Sequence, residues 1–322
     1  MNLLGKNRHG NGGAQNFVTK VFITATVTHL MISAHDAPPT ISSVVDELTR
    51  ELASAGILEP HVDAELLVGH VLHLSRGELA AQVVLERTMS VEDATLVREF
   101  GVRRAAREPL QHITGHAYFR ALDLAVGPGV FVPRPETELL AQMVIDHVRS
   151  LAHEAPIVVD LGTGSGAIAL SVATEVPYTR VVAVEKSPEA HAWTSRNVSA
   201  LAPSNTTLLL GDLSDALSDL DGQVAVVVSN PPYIPDDAIP RDPEVRLFDP
   251  ALALYGGPDG LDIVRQLEVT AARLLSPGGL LALEHGELQG AAIADILRSH
   301  GWRAVATHQD LLGRDRYTTA LR

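Results

Sequence analysis

The stretch "VVDLGTGSGAIAL", Val158 to Leu170, decides the fold. An apolar run ends at Asp160, glycines alternate at Gly162, Gly164 and Gly166, and a small, apolar segment opens at Ala167. The pattern reads as a strand, a tight turn and the start of a helix. Glycine there lets the backbone turn sharply and lets a ligand approach without a Cβ in the way. The helix beyond offers unpaired N–H groups to an anion. Downstream, "RVVAVE", "TTLLLG", "VAVVVS" and "LLALEH" are further short apolar runs separated by helical stretches. Strands that are apolar throughout are buried on both faces, as in a parallel sheet. The alternation predicts a doubly wound, Rossmann-like α/β domain over residues 135–322. Ligands of such folds bind at the carboxyl ends of the strands.

Upstream, the period is helical over residues 39–110. Ile41, Val44, Val45, Leu48 and Leu52 share one face, and Gly56 ends the run. A second helix covers "HVDAELLVGHVLHL". Ser75 with Glu78, and Ser90 with Asp93, have the spacing that opens two more. These four helices predict a small bundle. His70 and His73 within it read as solvated or packed histidines, with no third metal ligand nearby. Over residues 111–134, Leu122, Leu124 and Val126 alternate, "GPG" turns and "VFVP" returns. This predicts a β-hairpin connector. A helix then starts at Pro135, with Glu136 and Glu138 where its dipole favours negative charge.

The chain has 322 residues, no cysteine and a formal net charge of −14. Disulfides and thiolate chemistry are thereby excluded, and a reducing cytoplasm is the expected location. An acidic total argues against direct nucleic-acid binding, which calls for a basic face. No run of eighteen apolar residues predicts a membrane helix. Residues 1–38, which include the polar, glycine-rich "GKNRHGNGGAQN", read as a disordered extension, with Met31 as the expected true start.

The site is expected where the strands end. The glycine loop, Gly162, Thr163, Gly164, Ser165 and Gly166, comes first. Glu185 ends the next strand and can accept from both hydroxyls of a ribose. Asp212 ends the third, placed to accept from an adenine amine, with Leu213 against the ring. A nicotinamide dinucleotide and S-adenosyl-L-methionine both fit this much. The fourth strand decides between them, because it runs into Asn230, Pro231, Pro232 and Tyr233. A conjugated NH2 group has a delocalised lone pair and is a poor nucleophile. The Asn230 oxygen can accept one of its hydrogens and the Pro231 carbonyl the other. Proline fixes φ and brings no competing N–H. Tyr233 offers a flat face to a planar acceptor. Hydride transfer has no use for such an arrangement, so S-adenosyl-L-methionine is the expected cofactor. The acceptor is either an adenine amine or a glutamine or asparagine side chain.

With these pieces goes a resemblance over roughly Ile41 to the C-terminus. "REPLQHITG" (Arg107–Gly115), "FVPRPETELL" (Phe131–Leu140), "DLGTGSGAIAL" (Asp160–Leu170), "NPPYI" (Asn230–Ile234) and "GGPDGLDI" (Gly256–Ile263) resemble the HemK/PrmC protein methyltransferases. These modify the glutamine of the Gly-Gly-Gln motif in peptide-chain release factors. The resemblance implies a class I methyltransferase fold and release factors as partners, with the helical N-terminal region helping to engage them. It implies that Gly162–Gly166, Glu185, Leu213 and Asn230 contact the cofactor. It further implies that Asn230, Pro231, Pro232 and Tyr233 hold the glutamine amide. Glu185 stands where aspartate is usual, which lengthens the reach by one methylene. Asp249 stands where glutamate is expected, and its segment is assigned no role.

Overall fold

The computed structural model describes residues 37–201, 204–215 and 217–322. Met31 and the extension expected over residues 1–38 fall outside these, apart from Ala37 and Pro38. The described chain begins with helices α1 (Ile41–Ser54), α2 (Pro60–Leu72), α3 (Arg76–Val84), α4 (Val91–Ala105) and the short α5 (Leu110–Thr114). Their starts follow from local chemistry. The Ser43 N–H donates to the Thr40 hydroxyl. Ser75 and Glu78 satisfy each other's backbone N–H, and the Asp93 N–H donates to Ser90 Oγ. The apolar face of α1 is buried against Leu67 of α2 and Val97 of α4. His73 closes α2 in the left-handed region, and the His70 ring lies 5.9 Å from that of Phe100. Helix α5, between Pro109 and Gly115, is too short to carry a periodic signal.

The connector is a hairpin, but not of the strands predicted. Its strands are β1 (His116–Phe119) and β2 (Leu122–Ala125), paired antiparallel with Ala117 opposite Leu124. Leu122 and Leu124 do face inward. Their partner lies upstream, because Ala117 and Phe119 bury an alternating face of their own. The "VFVP" segment is no strand. Val130 and Val132 are fully buried in irregular chain, and Pro128, Pro133 and Pro135 lack the donors that a third strand would need. Helix α6 (Thr137–Ser150) starts two residues after Pro135 and buries Leu140, Ala141, Val144, Ile145 and Val148.

A seven-stranded sheet follows. Its strands are β3 (Ile157–Leu161), β4 (Arg180–Glu185), β5 (Thr206–Leu210), β6 (Val224–Ser229), β7 (Leu275–Glu284), β8 (Arg303–Gln309) and β9 (Asp315–Leu321). The order is β5-β4-β3-β6-β7-β9-β8. The first five are parallel, and β9 runs antiparallel to β7 and β8. Between them lie α7 (Ala167–Glu175), α8 (Pro188–Leu201), α9 (Pro243–Phe248), α10 (Asp262–Leu274) and α11 (Gly290–Ser299). Successive residues serve opposite faces. Val158, Val226 and Val228 pack with α6 and α7, while Val159 and Val227 pack with α10 and α11. This explains the unbroken apolar runs of β3 and β6. The edge strand β5 departs from it, with Leu210 55% exposed. Among the described residues no helix is long and apolar enough to cross a membrane.

Candidate active site

The sheet order reverses between β3 and β6, and the expected residues gather at the carboxyl ends on that side. One cavity of about 860 Å³ is lined by Gly162, Thr163, Gly164, Ser165, Glu185, Asp212, Leu213, Asn230, Pro231, Pro232 and Tyr233. Gly166 stands behind it. A Cβ there would press on Leu170 and Thr194 at 3.0 Å.

The glycine loop is held from below. The Gly162 and Thr163 N–H groups donate to the Val184 carbonyl. Asp160 Oδ2 accepts the Thr163 hydroxyl at 2.7 Å and the Ala169 N–H at 3.1 Å. Its other oxygen is buried without a partner. Burial pushes this carboxyl up to about 7, against the two bonds it accepts. Asp160 therefore shapes the loop, a task the sequence did not reveal. Asn197 of α8 donates to the Ser165 carbonyl and exchanges two hydrogen bonds with the backbone of Ala125. The Thr194 hydroxyl donates to the Gly164 carbonyl.

Glu185 does not extend straight out. Its Oε2 accepts the Gly164 N–H and its Oε1 the Ser187 N–H, both at 2.8 Å. The additional methylene lets the carboxylate curl back onto the loop, and each oxygen keeps a second lone pair. Asp212 is already engaged. Lys186 Nζ lies 2.8 Å away, and Ser214 donates through its N–H and its hydroxyl. The Lys186 bond, then those from Ser214, hold the carboxyl down at about 2.

Asn230 follows the buried Ser229, whose hydroxyl donates to the Leu161 carbonyl at 2.6 Å. The Asn230 Nδ2 group donates to Thr137 Oγ1 at 3.3 Å. The next residues are clamped from behind by "GGPDGL". The Ile234 N–H donates to the Leu254 carbonyl and the Gly256 N–H to that of Ile234. A Cβ on Gly256 would stand 2.6 Å from the Pro232 carbonyl oxygen. One on Gly260, at φ +74°, would stand 2.3 Å from that of Tyr233. Only glycine admits this close backbone packing. Gln289 Nε2 donates to the Tyr233 carbonyl at 2.9 Å. Burial pushes the Tyr233 hydroxyl up to about 12, so the ring is a neutral plate near pH 7.

The "PRPETE" segment lines the same cavity through Pro133, Arg134, Glu136 and Thr137. Glu136 and Glu138 do not cap α6 with their side chains. Glu138 instead accepts the Arg120 N–H on the hairpin turn. Arg134 stacks over the Phe131 ring at 5.1 Å and donates to Asp249 Oδ2 at 2.9 Å. Asp249, given no role from sequence, is thus the buried anchor of this wall.

Residues 43–115 match the PrmC N-terminal domain family, and residues 121–277 match the methyltransferase small domain family. A release factor glutamine methyltransferase of Streptomyces coelicolor is 50% identical over 281 residues, 86% of this chain and 96% of that protein. The chain belongs to the release factor glutamine methyltransferase family. A release factor glutamine methyltransferase of Bifidobacterium longum is 44% identical over 87% of this chain and 99% of that protein. A 4-amino-L-phenylalanine/4-methylamino-L-phenylalanine methyltransferase of Streptomyces pristinaespiralis is 40% identical over 82% of this chain and 89% of its own. As a member of the release factor glutamine methyltransferase family, the chain is an enzyme with the class I methyltransferase fold, and S-adenosyl-L-methionine is its methyl source. The residues fit that cofactor. Gly162 and Gly164 have positive φ, and nothing stands within 4 Å of where their Cβ atoms would be, so the loop is open to a ligand. Carboxylates at Glu185 and Asp212 line the same cavity.

Proposed function

We propose that the chain methylates the side-chain amide nitrogen of the glutamine in the Gly-Gly-Gln motif of peptide chain release factors. The observation that carries this reading is Asn230, fixed through its NH2 group at the end of β6, in the cavity shared with the glycine loop. Gly162, Thr163, Gly164, Ser165, Glu185, Asp212, Leu213 and Asn230 would hold the cofactor, with Gly166 shaping the loop from behind. When bound, S-adenosyl-L-methionine supplies an electrophilic methyl group on a positively charged sulfur. Asn230 accepts one amide hydrogen of the glutamine and the Pro231 carbonyl accepts the other. Both groups are set before the acceptor arrives, so little reorganisation opposes transfer. Pro231 and Pro232 keep the carbonyl directions fixed, and Tyr233 supports the flat amide. The amide nitrogen releases a proton after it gains the methyl group. No strongly basic side chain is required beforehand.

The partner is a protein of the translation apparatus, and the chain works in the cytoplasm. The helices within residues 39–110 hold the body of the release factor while its loop reaches Asn230. Deleting residues before Gln111 weakens partner engagement more than cofactor binding. The −14 net charge disfavours a polynucleotide acceptor. The Streptomyces pristinaespiralis relative favours a second reading, an amine on an aromatic ring, whose nitrogen is conjugated in the same way. Labelled methyl transfer separates these. Label enters a purified release factor and is lost when its Gly-Gly-Gln glutamine is replaced by alanine. Label found only on nucleic acid, or only on a free aromatic amine, overturns the reading.

A further inference from the structure

A buried carboxylate stands at the end of the central sheet. Glu284 closes β7 and is 2% exposed. Its Oε2 accepts the Thr137 hydroxyl at 2.7 Å. Thr137 is the first residue of α6 and lines the cavity beside Asn230. A threonine hydroxyl carries a single hydrogen. That hydrogen is committed to Glu284, so toward Asn230 the Thr137 oxygen can only accept. The Asn230 amide must then present its NH2 group to Thr137 and its oxygen to the other side.

We propose that Thr137 and Glu284 are positioning residues for methyl transfer, setting through one chain of hydrogen bonds which end of the Asn230 amide meets the acceptor nitrogen. The role rests on the reading of Asn230 as the partner of an acceptor N–H. An amide turned by 180° would set a donor against a donor, and the acceptor would lose its alignment. Three segments remote in sequence build the chain: the start of α6, the end of β6 and the end of β7.

The groups facing Glu284 come from each packed element. They are Glu136 and Thr137 from the start of α6, Asn230 and Tyr233 after β6, and Arg316 and Tyr317 from β9. His285 is its own neighbour. Burial pushes Glu284 up to about 7, and Glu136 adds to this, while Thr137, Arg316 and Asn230 oppose it. As a carboxylate, Glu284 can only accept, and the direction of the Thr137 hydroxyl is held. Once protonated, it can donate to Thr137 Oγ1 and release the hydroxyl hydrogen toward Asn230. Turnover therefore rises with pH through about 7, while cofactor affinity does not follow.

The test uses the full chain with its protein acceptor. Thr137→Val keeps the shape and removes the hydroxyl; Thr137→Ser keeps the hydroxyl. The expected result for Thr137→Val is a kcat lower by about tenfold to a hundredfold, with acceptor KM and S-adenosylhomocysteine Kd within about threefold. Thr137→Ser recovers kcat to within about threefold of the parent. Glu284→Gln flattens the rise of kcat between about pH 6 and 8. A Thr137→Val variant with parental kcat, or a serine variant as impaired as the valine one, overturns the role. Should the variants melt early, the parent still decides. With asparagine labelled by 15N, the Asn230 side-chain NH2 signal shifts with pH around 7 in the absence of any acceptor. An Asn230 signal unchanged over that range overturns the chain of hydrogen bonds. A parent that labels no release factor would instead remove the functional reading, leaving the resonance measurement to stand on its own.

Discussion

Asn230 is a short side chain to which the proposed function gives a directional task, and removing it tests that task without disturbing the core. Asn230→Ala should lower turnover by about a hundredfold or more, as the loss of one preset polar group in an active site does. Its melting temperature should stay within a few degrees of the parent, since the residue is only half-buried and lines the cavity. A steady-state assay beside a thermal melt checks both parts; parental turnover would deny Asn230 its role. Asp160 makes a different prediction. Its carboxyl lies at about 7 in the folded chain, far above its ordinary 3.8, because burial disfavours the charge. A group raised on folding contributes stability that is full below the ordinary value and lost as pH rises through the folded one. Asp160→Asn keeps an oxygen for the Thr163 hydroxyl and the Ala169 N–H, and places its NH2 group where Oδ1 has no partner. The variant's melting temperature should therefore fall less than the parent's between pH 6 and 8. Equal slopes would show that Asp160 does not titrate there.

Helix α8 shows how one element positions a loop it does not contain. Asn197, 1% exposed, bonds to Ser165 in the glycine loop and to both backbone groups of Ala125 at the end of the hairpin. Trp193, one turn earlier, donates from its ring N–H to the Pro128 carbonyl and fills the space beside Gly127. Asn197→Ala leaves the buried Ser165 carbonyl and the two part-buried backbone groups of Ala125 without this partner and should cost about 2 kcal/mol. Urea unfolding measures that cost, and cofactor affinity should fall with it because Ser165 loses its anchor. If stability drops while affinity holds, the glycine loop is supported by other contacts. None of this could be seen in "TSRNVSAL", where Asn197 looks like an ordinary surface polar residue. Strands β3, β4, β6 and β7 were legible because burial on both faces leaves an unbroken apolar run. Strands β8 and β9 were not, since β8 lies at the sheet edge and mixes exposed polar with small residues. The Asn-Pro-Pro-Tyr motif was legible because its prolines and asparagine lie side by side in the chain. Thr137 and Glu284 were not, because 147 positions separate two residues that meet only in the folded sheet.

At the scale of the whole molecule, the helical N-terminal region meets the cavity wall through one carboxylate. Glu244 of α9 accepts from Arg104 at 2.8 Å and from Arg107 at 2.9 Å. Arg104 also holds Asp63 of α2 at 2.7 Å, and Arg107 reaches the Gly56 carbonyl. Arg241, Asp242 and Val245, around Glu244, line the cavity. The "REPLQHITG" motif thus gains a physical meaning, as it carries one of the two arginines that tie the helices to the wall of the cavity. Glu244→Gln would leave the Arg107 charge half-buried without its anionic partner, which destabilises more than an exposed pair would. In a chain that methylates release factors, the acceptor KM should rise several-fold while the Kd for S-adenosylhomocysteine stays within about twofold. The pH dependence separates this link from a purely steric one. Burial pushes the Glu244 carboxyl up, but a hydrogen bond shared with Asp242, which raises the Asp242 carboxyl in turn, and the bond from Arg104 outweigh it and hold Glu244 below its ordinary 4.5, at about 2. A carboxyl lowered on folding contributes stability that is full above the ordinary value and lost as pH falls through the folded one. The parent should therefore be more stable than Glu244→Gln at neutral pH, and the difference should shrink between pH 5 and 3, where urea midpoints can be compared directly. A difference that persists unchanged at pH 3 would mean that the charge on Glu244 is not what joins the helices to the wall.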